Sequence, residues 1–232
     1  MAKSHGKRYR ALTEKYDLEQ HYPLDEAMKM VKETATAKFD EAVDVTIVLG
    51  IDARKGDQQV RGTITLPNGT GKTPRVVAIA RGEAATAAEE AGADAVGAEE
   101  IIAQIEKDEL NFDVLVATPD MMRLLARLGK KLGPRMPNAK SGTVGPNIGA
   151  IVSDRKKGQI EYRNEPKASV VHSIVGKSSF EGDALVENTR ALISALQRSK
   201  PSSAKGTYLK SITLSSTMGP GIKVDPAPMR MQ

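Results

Sequence analysis

Val76-Val77-Ala78-Ile79-Ala80, then the Ala- and Glu-rich run from Glu83 to Ala91 closed by Gly92, then Ala93 to Val96, decides the fold. The first segment is a short apolar run of buried-strand type, the second is helical, and the third is a second short strand. The alternation continues. Glu99 to Lys107 reads as a helix with Ile101, Ile102 and Ile105 at helical spacing, and Val114-Leu115-Val116-Ala117 as a third strand. Pro119 to Leu132 follows as a third helix, with Pro at a first-turn position where its missing N–H costs nothing. Strand and helix in strict alternation imply a parallel sheet covered by helices, a Rossmann-like α/β unit.

The flanks read differently. Tyr22 to Glu33 is a helix with Leu24, Ala27, Met28 and Val31 on one face. Val43, Val45, Ile47 and Leu49 alternate with Asp44 and Thr46, and Val60, Gly62, Ile64 and Leu66 repeat the pattern of a half-buried strand. Beyond the alternating block come strand candidates Gln159 to Asn164, Ser169 to Val175 and Thr207 to Ser216. A helix from about Asp183 to Arg198 stands between the last two, and Ser199-Lys200-Pro201 stops it. Neither flank alone has strands enough for a sheet. Together they make an α+β layer, with helices on a mostly antiparallel sheet. Residues 1–67 and 159–232 are therefore expected to form one discontinuous domain, interrupted by an inserted α/β domain at 68–158. The insertion is entered through Pro67-Asn68-Gly69-Thr70-Gly71 and left through a stretch holding Gly142, Gly145, Gly149 and Gly158. Two glycine-rich crossings suggest a hinge.

Composition narrows the class. A chain of 232 residues with 40% hydrophobic and 27% charged residues builds a packed core. The net charge is +5 and the pI about 9.3, which points toward nucleic acid. There is no cysteine, so disulfides and thiolate metal sites are excluded. No apolar run approaches membrane-spanning length, and Met1 to Lys15 reads as a basic arm (Lys3, Lys7, Arg8, Arg10, Lys15) rather than a signal peptide.

Motifs that would mark an enzyme fail on inspection. Gly69-Thr70-Gly71-Lys72-Thr73 resembles the end of a phosphate-binding loop. Leu66 stands where the first glycine belongs, and the loop precedes a strand instead of following one. Arg81-Gly82-Glu83 stands where a dinucleotide fingerprint belongs. Gly142-Thr143-Val144-Gly145 has the spacing of an RNA-binding G-x-x-G loop, but Pro134, Pro137 and Pro146 flank it. His5, His21 and His172 are scattered, with no metal-ligand spacing. No catalytic centre, cofactor or metal is expected.

Basic residues are concentrated instead. Asn188 to Val224 holds Arg190, Arg198, Lys200, Lys205, Lys210 and Lys223 without one carboxylate, and ends in Ser215-Ser216-Thr217-Met218-Gly219-Pro220-Gly221. Small hydroxyls and bare backbone in a positive field suit the shallow minor groove and 2′-hydroxyls of RNA. Met121 to Val152 contains a second set, Arg123, Arg127, Lys130, Lys131, Arg135 and Lys140, read either as a solvated face or as a second nucleic-acid contact. Lys38-Phe39 sits at a strand entrance, where the ring either joins the core or meets a base.

Several tracts taken together resemble one family. They are Gly6-Lys7-Arg8-Tyr9-Arg10, Thr36-Ala37-Lys38-Phe39-Asp40-Glu41, Leu132-Gly133-Pro134-Arg135, Lys140-Ser141-Gly142-Thr143-Val144-Gly145, Glu161-Tyr162-Arg163-Asn164, Val175-Gly176-Lys177 and Ser216-Thr217-Met218-Gly219-Pro220. Nearly end to end, the chain is similar to the bacterial branch of the large-subunit ribosomal protein L-one family. The resemblance implies a non-enzymatic, cytoplasmic ribosomal protein, monomeric when off the ribosome, that binds large-subunit rRNA in the mobile stalk. It further implies help in moving and releasing exit-site tRNA, and repression of its own operon mRNA. Carried over by position, the RNA contacts are Lys38, Phe39, Arg163, Ser211, Thr217, Met218 and Gly219, with Glu26 near that surface. The chain departs from the family tract after Arg135, where two residues are missing before Met136 and Ala139 replaces a proline.

Overall fold

The computed structural model describes residues 6–107 and 109–229, so Lys3 of the basic arm and His5 lie outside the described residues. In chain order the elements are α1 (Lys7–Thr13), α2 (Leu24–Thr34), β1 (Ala42–Leu49), β2 (Arg61–Thr65), β3 (Val76–Ile79), α3 (Glu83–Glu90), β4 (Ala95–Gly97), α4 (Glu99–Glu106), β5 (Val114–Ala117), α5 (Met122–Leu125), α6 (Gly129–Leu132), α7 (Ile148–Lys156), β6 (Gln159–Arg163), β7 (Val170–Lys177), α8 (Gly182–Arg198), β8 (Leu209–Ser216) and β9 (Ile222–Val224). The chain divides into two compact units, Met1–Gly71 with Glu161–Gln232, and Lys72–Ile160.

In the first unit an antiparallel sheet runs in the order β7-β1-β8-β9. Strict alternation along β1 sends Val43, Val45, Ile47 and Leu49 to one face, where each is buried. Ile212 and Leu214 of β8 and Ile222 and Val224 of β9 are buried likewise. Helices α2 and α8 cover this face with Leu24, Met28 and Val31 from one and Leu185, Leu192 and Leu196 from the other. Each such Leu taken out of water contributes about 1.5–3 kcal/mol, so this face fixes the register of the whole sheet. The opposite face carries Asp44, Thr46, Ser211, Thr213, Ser215 and His172. Strands β2 and β6 form a separate two-stranded ribbon.

The loop resembling a phosphate-binding motif has a structural job. Fully buried Asn188 on α8 accepts from the Asn68 N–H (3.0 Å) and donates to Gly69 O (2.9 Å) and Val175 O (2.7 Å). Gly71, at φ +73, lies so close to Lys177 and Phe180 that a β-carbon would meet both side chains at about 3 Å.

The second unit is a parallel sheet in the order β4-β3-β5. Its strands are buried on both faces, because successive residues feed two cores. Val77, Ile79 and Leu115 pack with Ile101, Ile105, Leu125, Leu128 and Leu132, while Val76, Ala78 and Val116 pack with Ala88, Ile148 and Val152. Two sequence expectations change here. The third helix is a succession of short 3₁₀ and α turns, Pro119–Met121, α5, Ala126–Leu128 and α6. Leu128, at φ −87° and ψ 1°, leaves the helical geometry before Gly129, and Gly133 at φ +51 ends the run. The glycine-rich exit is not a plain crossing, because it holds α7. Gly149 in the first turn of α7 lets that helix approach α3, and a β-carbon there would stand 2.9 Å from Ala87 O.

Candidate nucleic-acid interface

Thr217, Met218 and Gly219 occupy the connection between β8 and β9, where Leu214 pairs with Ile222. The Gly-Pro-Gly end does not all project, since Pro220 is buried while Met218 is 54% exposed. Thr217 is a clasp. Its N–H donates to Ala42 O (3.0 Å), and its hydroxyl accepts from Ala42 N (2.9 Å) and lies 3.3 Å from Ala42 O. Gly219 donates to Ser216 O (3.1 Å), and a β-carbon there would run into the Ser216 hydroxyl and stand 3.2 Å from Thr34 Oγ1.

The entrance to β1 meets this hairpin through one carboxylate. Glu41, 1% exposed, accepts from Ala37 N (2.7 Å) with one oxygen and from Met218 N (2.9 Å) with the other. Burial works against its charge. The two backbone N–H donors, the Ser216 hydroxyl and the Arg8 guanidinium at 3.9 Å outweigh burial and hold Glu41 below the usual carboxylate range. Arg8 closes the cluster by donating to Thr36 Oγ1 (3.1 Å) and Met218 O (3.3 Å). On the far side of the loop, Asp40 accepts from Ser178 Oγ (2.9 Å), Ser179 N (3.1 Å) and Ser179 Oγ (2.9 Å). The Ser178 hydroxyl first, and the Ser179 donors with it, hold the Asp40 carboxyl low. Lys38 and Phe39 therefore sit at the tip of a loop pinned on both sides. Phe39 is 55% exposed and does not join the core.

The carried-over positions divide into near and far groups. Lys38, Phe39, Thr217, Met218 and Gly219 share the Glu41 cluster. Ser211 faces the polar side of the sheet opposite Val48, six residues along β8 from Thr217, or about 20 Å. Arg163 is exposed at the end of β6, where the next residue, Asn164, bridges to Val171 of the opposite edge strand. Glu26 is exposed on α2, outside the cluster. Between the groups runs a polar row that the sequence reading did not single out. Thr46 lies opposite both His172 and Thr213, and Thr213 lies opposite Lys223. The Thr46 hydroxyl is 3.1 Å from His172 Nδ1, and Glu165 Oε1 is 3.6 Å from Nε2. Burial pushes the neighbouring Asp44 carboxyl up. The alternation Asp44-Val45-Thr46 was the available signal for this row. The sequence placed Arg8 in a basic arm and in a family tract, without a sign that it reaches Met218 and Glu41.

The arrangement offers exposed apolar side chains, hydroxyls and fixed cations, the parts of a surface that stacks on bases and follows a sugar-phosphate backbone. Among the described residues no cluster of acids and histidines is placed to hold a metal ion, and no helix is long and apolar enough to cross a membrane. Residues 31–220 match the Ribosomal protein L1p/L10e family. The chain belongs to that family. It is similar to the large ribosomal subunit protein uL1 of Methylobacillus flagellatus, 55% identical over 95% of this chain and 96% of that one. The protein of the same description from Thermus thermophilus is 54% identical over 96% of this chain and 98% of its own, and that from Nitrosomonas eutropha 52% over 98% of each. Family membership makes this a ribosomal protein, structural and not an enzyme. The seven carried-over contact positions all fall inside the matched residues, whereas Glu26 and Arg8 precede them.

Proposed function

We propose that this protein is a constituent of the large ribosomal subunit and grips rRNA through Lys38, Phe39, Arg163, Ser211, Thr217, Met218 and Gly219. The observation that carries the reading is the pairing of two exposed apolar side chains, Phe39 and Met218, on loops tied together by the buried Glu41. Exposed rings and thioethers held rigid have little solubility value and high value against a base. In this reading residues 1–67 and 159–232 are the RNA-binding domain and 68–158 the inserted one. The finer roles belong to the same proposal: residence in the stalk of cytoplasmic ribosomes, monomeric state when free, movement and release of exit-site tRNA, and repression of the protein's own operon mRNA.

The test is filter binding of a stalk rRNA fragment across a salt series. Affinity is expected to fall by about 0.7–0.9 log units per log unit of salt for each phosphate met. Met218→Glu is expected to weaken binding about 10- to 100-fold, the worth of one stacked base. The same affinity in Met218→Glu and Phe39→Ala as in the native protein sinks the assignment. Co-sedimentation with large subunits separates a ribosomal resident from a free mRNA regulator.

A further inference from the structure

The inserted unit has a cleft that the rRNA surface does not use. The chain passes from β3 through α3 to β4 on one side, then through α4 to β5 on the other side of β3. Strand order therefore reverses between β3 and β5, and the crevice beyond the carboxyl ends of such strands is where open α/β sheets take ligands. A cavity of ≈ 600 Å³ lies there, a volume within the range of ordinary ligand sites. Arg81, two residues after β3, stands on its wall, and Arg123 from the turns after β5 also lines it. Pro119, Leu124 and Pro146 supply apolar surface. Thr118 and Asp120 supply a hydroxyl and a carboxylate.

We propose that this cleft receives one unpaired nucleotide of an RNA strand, with the adjoining phosphates carried by Arg127 and Lys130. The base lies against the prolines and Leu124, the sugar hydroxyls meet Thr118 and Asp120, and the phosphate meets the two arginines. A dinucleotide is disfavoured because the loop after β3 has a single glycine, Gly82 at φ +59, where a pyrophosphate needs a glycine-rich turn. The strand is favoured over a free nucleotide by what lies outside the cleft. Arg123, Arg127 and Lys130 are all exposed, on the same run of short turns that buries Leu125, Leu128 and Leu132. Among the described residues no carboxylate pairs with these three cations, so their charge is available to phosphate. Arg81 is held by Glu99 at 2.5 Å, which aims it and leaves Arg123 as the principal phosphate partner.

The test uses the full-length protein carrying Met218→Glu, so that failure of the rRNA site and failure of this cleft read differently. A fluorescein-labelled single-stranded RNA heptamer of mixed sequence is titrated by anisotropy. Binding with a salt slope of about 2 is expected, for three phosphates at about 0.7 each. Adding Arg123→Glu and Arg127→Glu is expected to lower affinity about tenfold or more and to bring the slope to about 0.7. Both arginines are exposed, and a thermal melt of the variant checks that the fold is intact. In a second readout, amide resonances of Thr118 and Leu124 shift on addition of the heptamer. Unchanged affinity in the arginine variant, no binding once Met218 is replaced, or resonance shifts confined to the other unit each overturn the proposal. Displacement of the heptamer by AMP or UMP at equal concentration overturns the strand in favour of a free nucleotide.

Discussion

Replacing Glu41 with Gln keeps the volume of a buried side chain and removes its charge. In the native protein one carboxylate oxygen accepts from Ala37 N and the other from Met218 N. The amide carbonyl of Gln takes over one of these bonds, and its NH₂ then faces a backbone N–H with nothing to offer. One bond to a charged group is lost and two donors, the backbone N–H and the new NH₂ facing it, are left without an acceptor, which costs about 1.5–3 kcal/mol or more. The pH dependence identifies the cause. Because folding holds the Glu41 carboxyl below its ordinary value near 4.5, its contribution is complete above that value and is lost as pH falls through the lower folded one. A protonated Glu41 is chemically close to Gln, so the stability gap between native and variant should close in acid. Urea denaturation at about pH 7 and again at about pH 3 measures both parts. Equal stability at neutral pH, or a gap of unchanged size in acid, refutes the account of Glu41 as a charged clasp.

Two further substitutions probe the same architecture. Gly219→Ala puts a methyl group against the Ser216 hydroxyl and Thr34 Oγ1, and should cost about 1–3 kcal/mol of stability together with a loss of rRNA affinity. Denaturation and filter binding on one preparation show whether both fall. Asn188→Ala removes three hydrogen bonds to backbone at 0% exposure and should lower stability by about 3 kcal/mol or more in thermal or urea melts, with no change in salt slope for RNA.

The architecture was legible in the sequence wherever the signal was local. The period-2 pattern of Val43 to Leu49 and the strand–helix alternation from Val76 to Ala117 are statements about neighbours, and burial enforces them directly. Helix α7 was hidden because Gly149, Gly145 and Gly158 read as breakers. Close contact with α3 supplies what helix propensity lacks, so a distant partner decides that segment. Strand β9 is three residues long and is held by pairing with β8 on one side and by the backbone of Tyr22 on the other. The interface shows the same division. Lys38-Phe39 and Thr217-Met218-Gly219 stood out by composition. Arg8, Glu41 and the row through Thr46, His172 and Thr213 each depend on at least one residue more than a hundred positions away, Met218 for the first two and the facing strands for the row. A ring at a strand entrance is usually core, with its basic neighbour leaving room for an RNA contact, and Phe39 faces outward on a loop held through Asp40 and Glu41.

The clasp between Ala42 and Thr217 also has a meaning in time. These residues are 175 positions apart. At about 5–20 residues per second of synthesis, β1 waits roughly 9–35 s after emergence for the strand that completes its site. A chain halted before Ser178 lacks the partners of Asp40, and one halted before Thr217 still lacks the bonds of Met218 to Glu41 and of Thr217 to Ala42. If RNA is held as proposed, full affinity is expected only of a chain translated through its last strands.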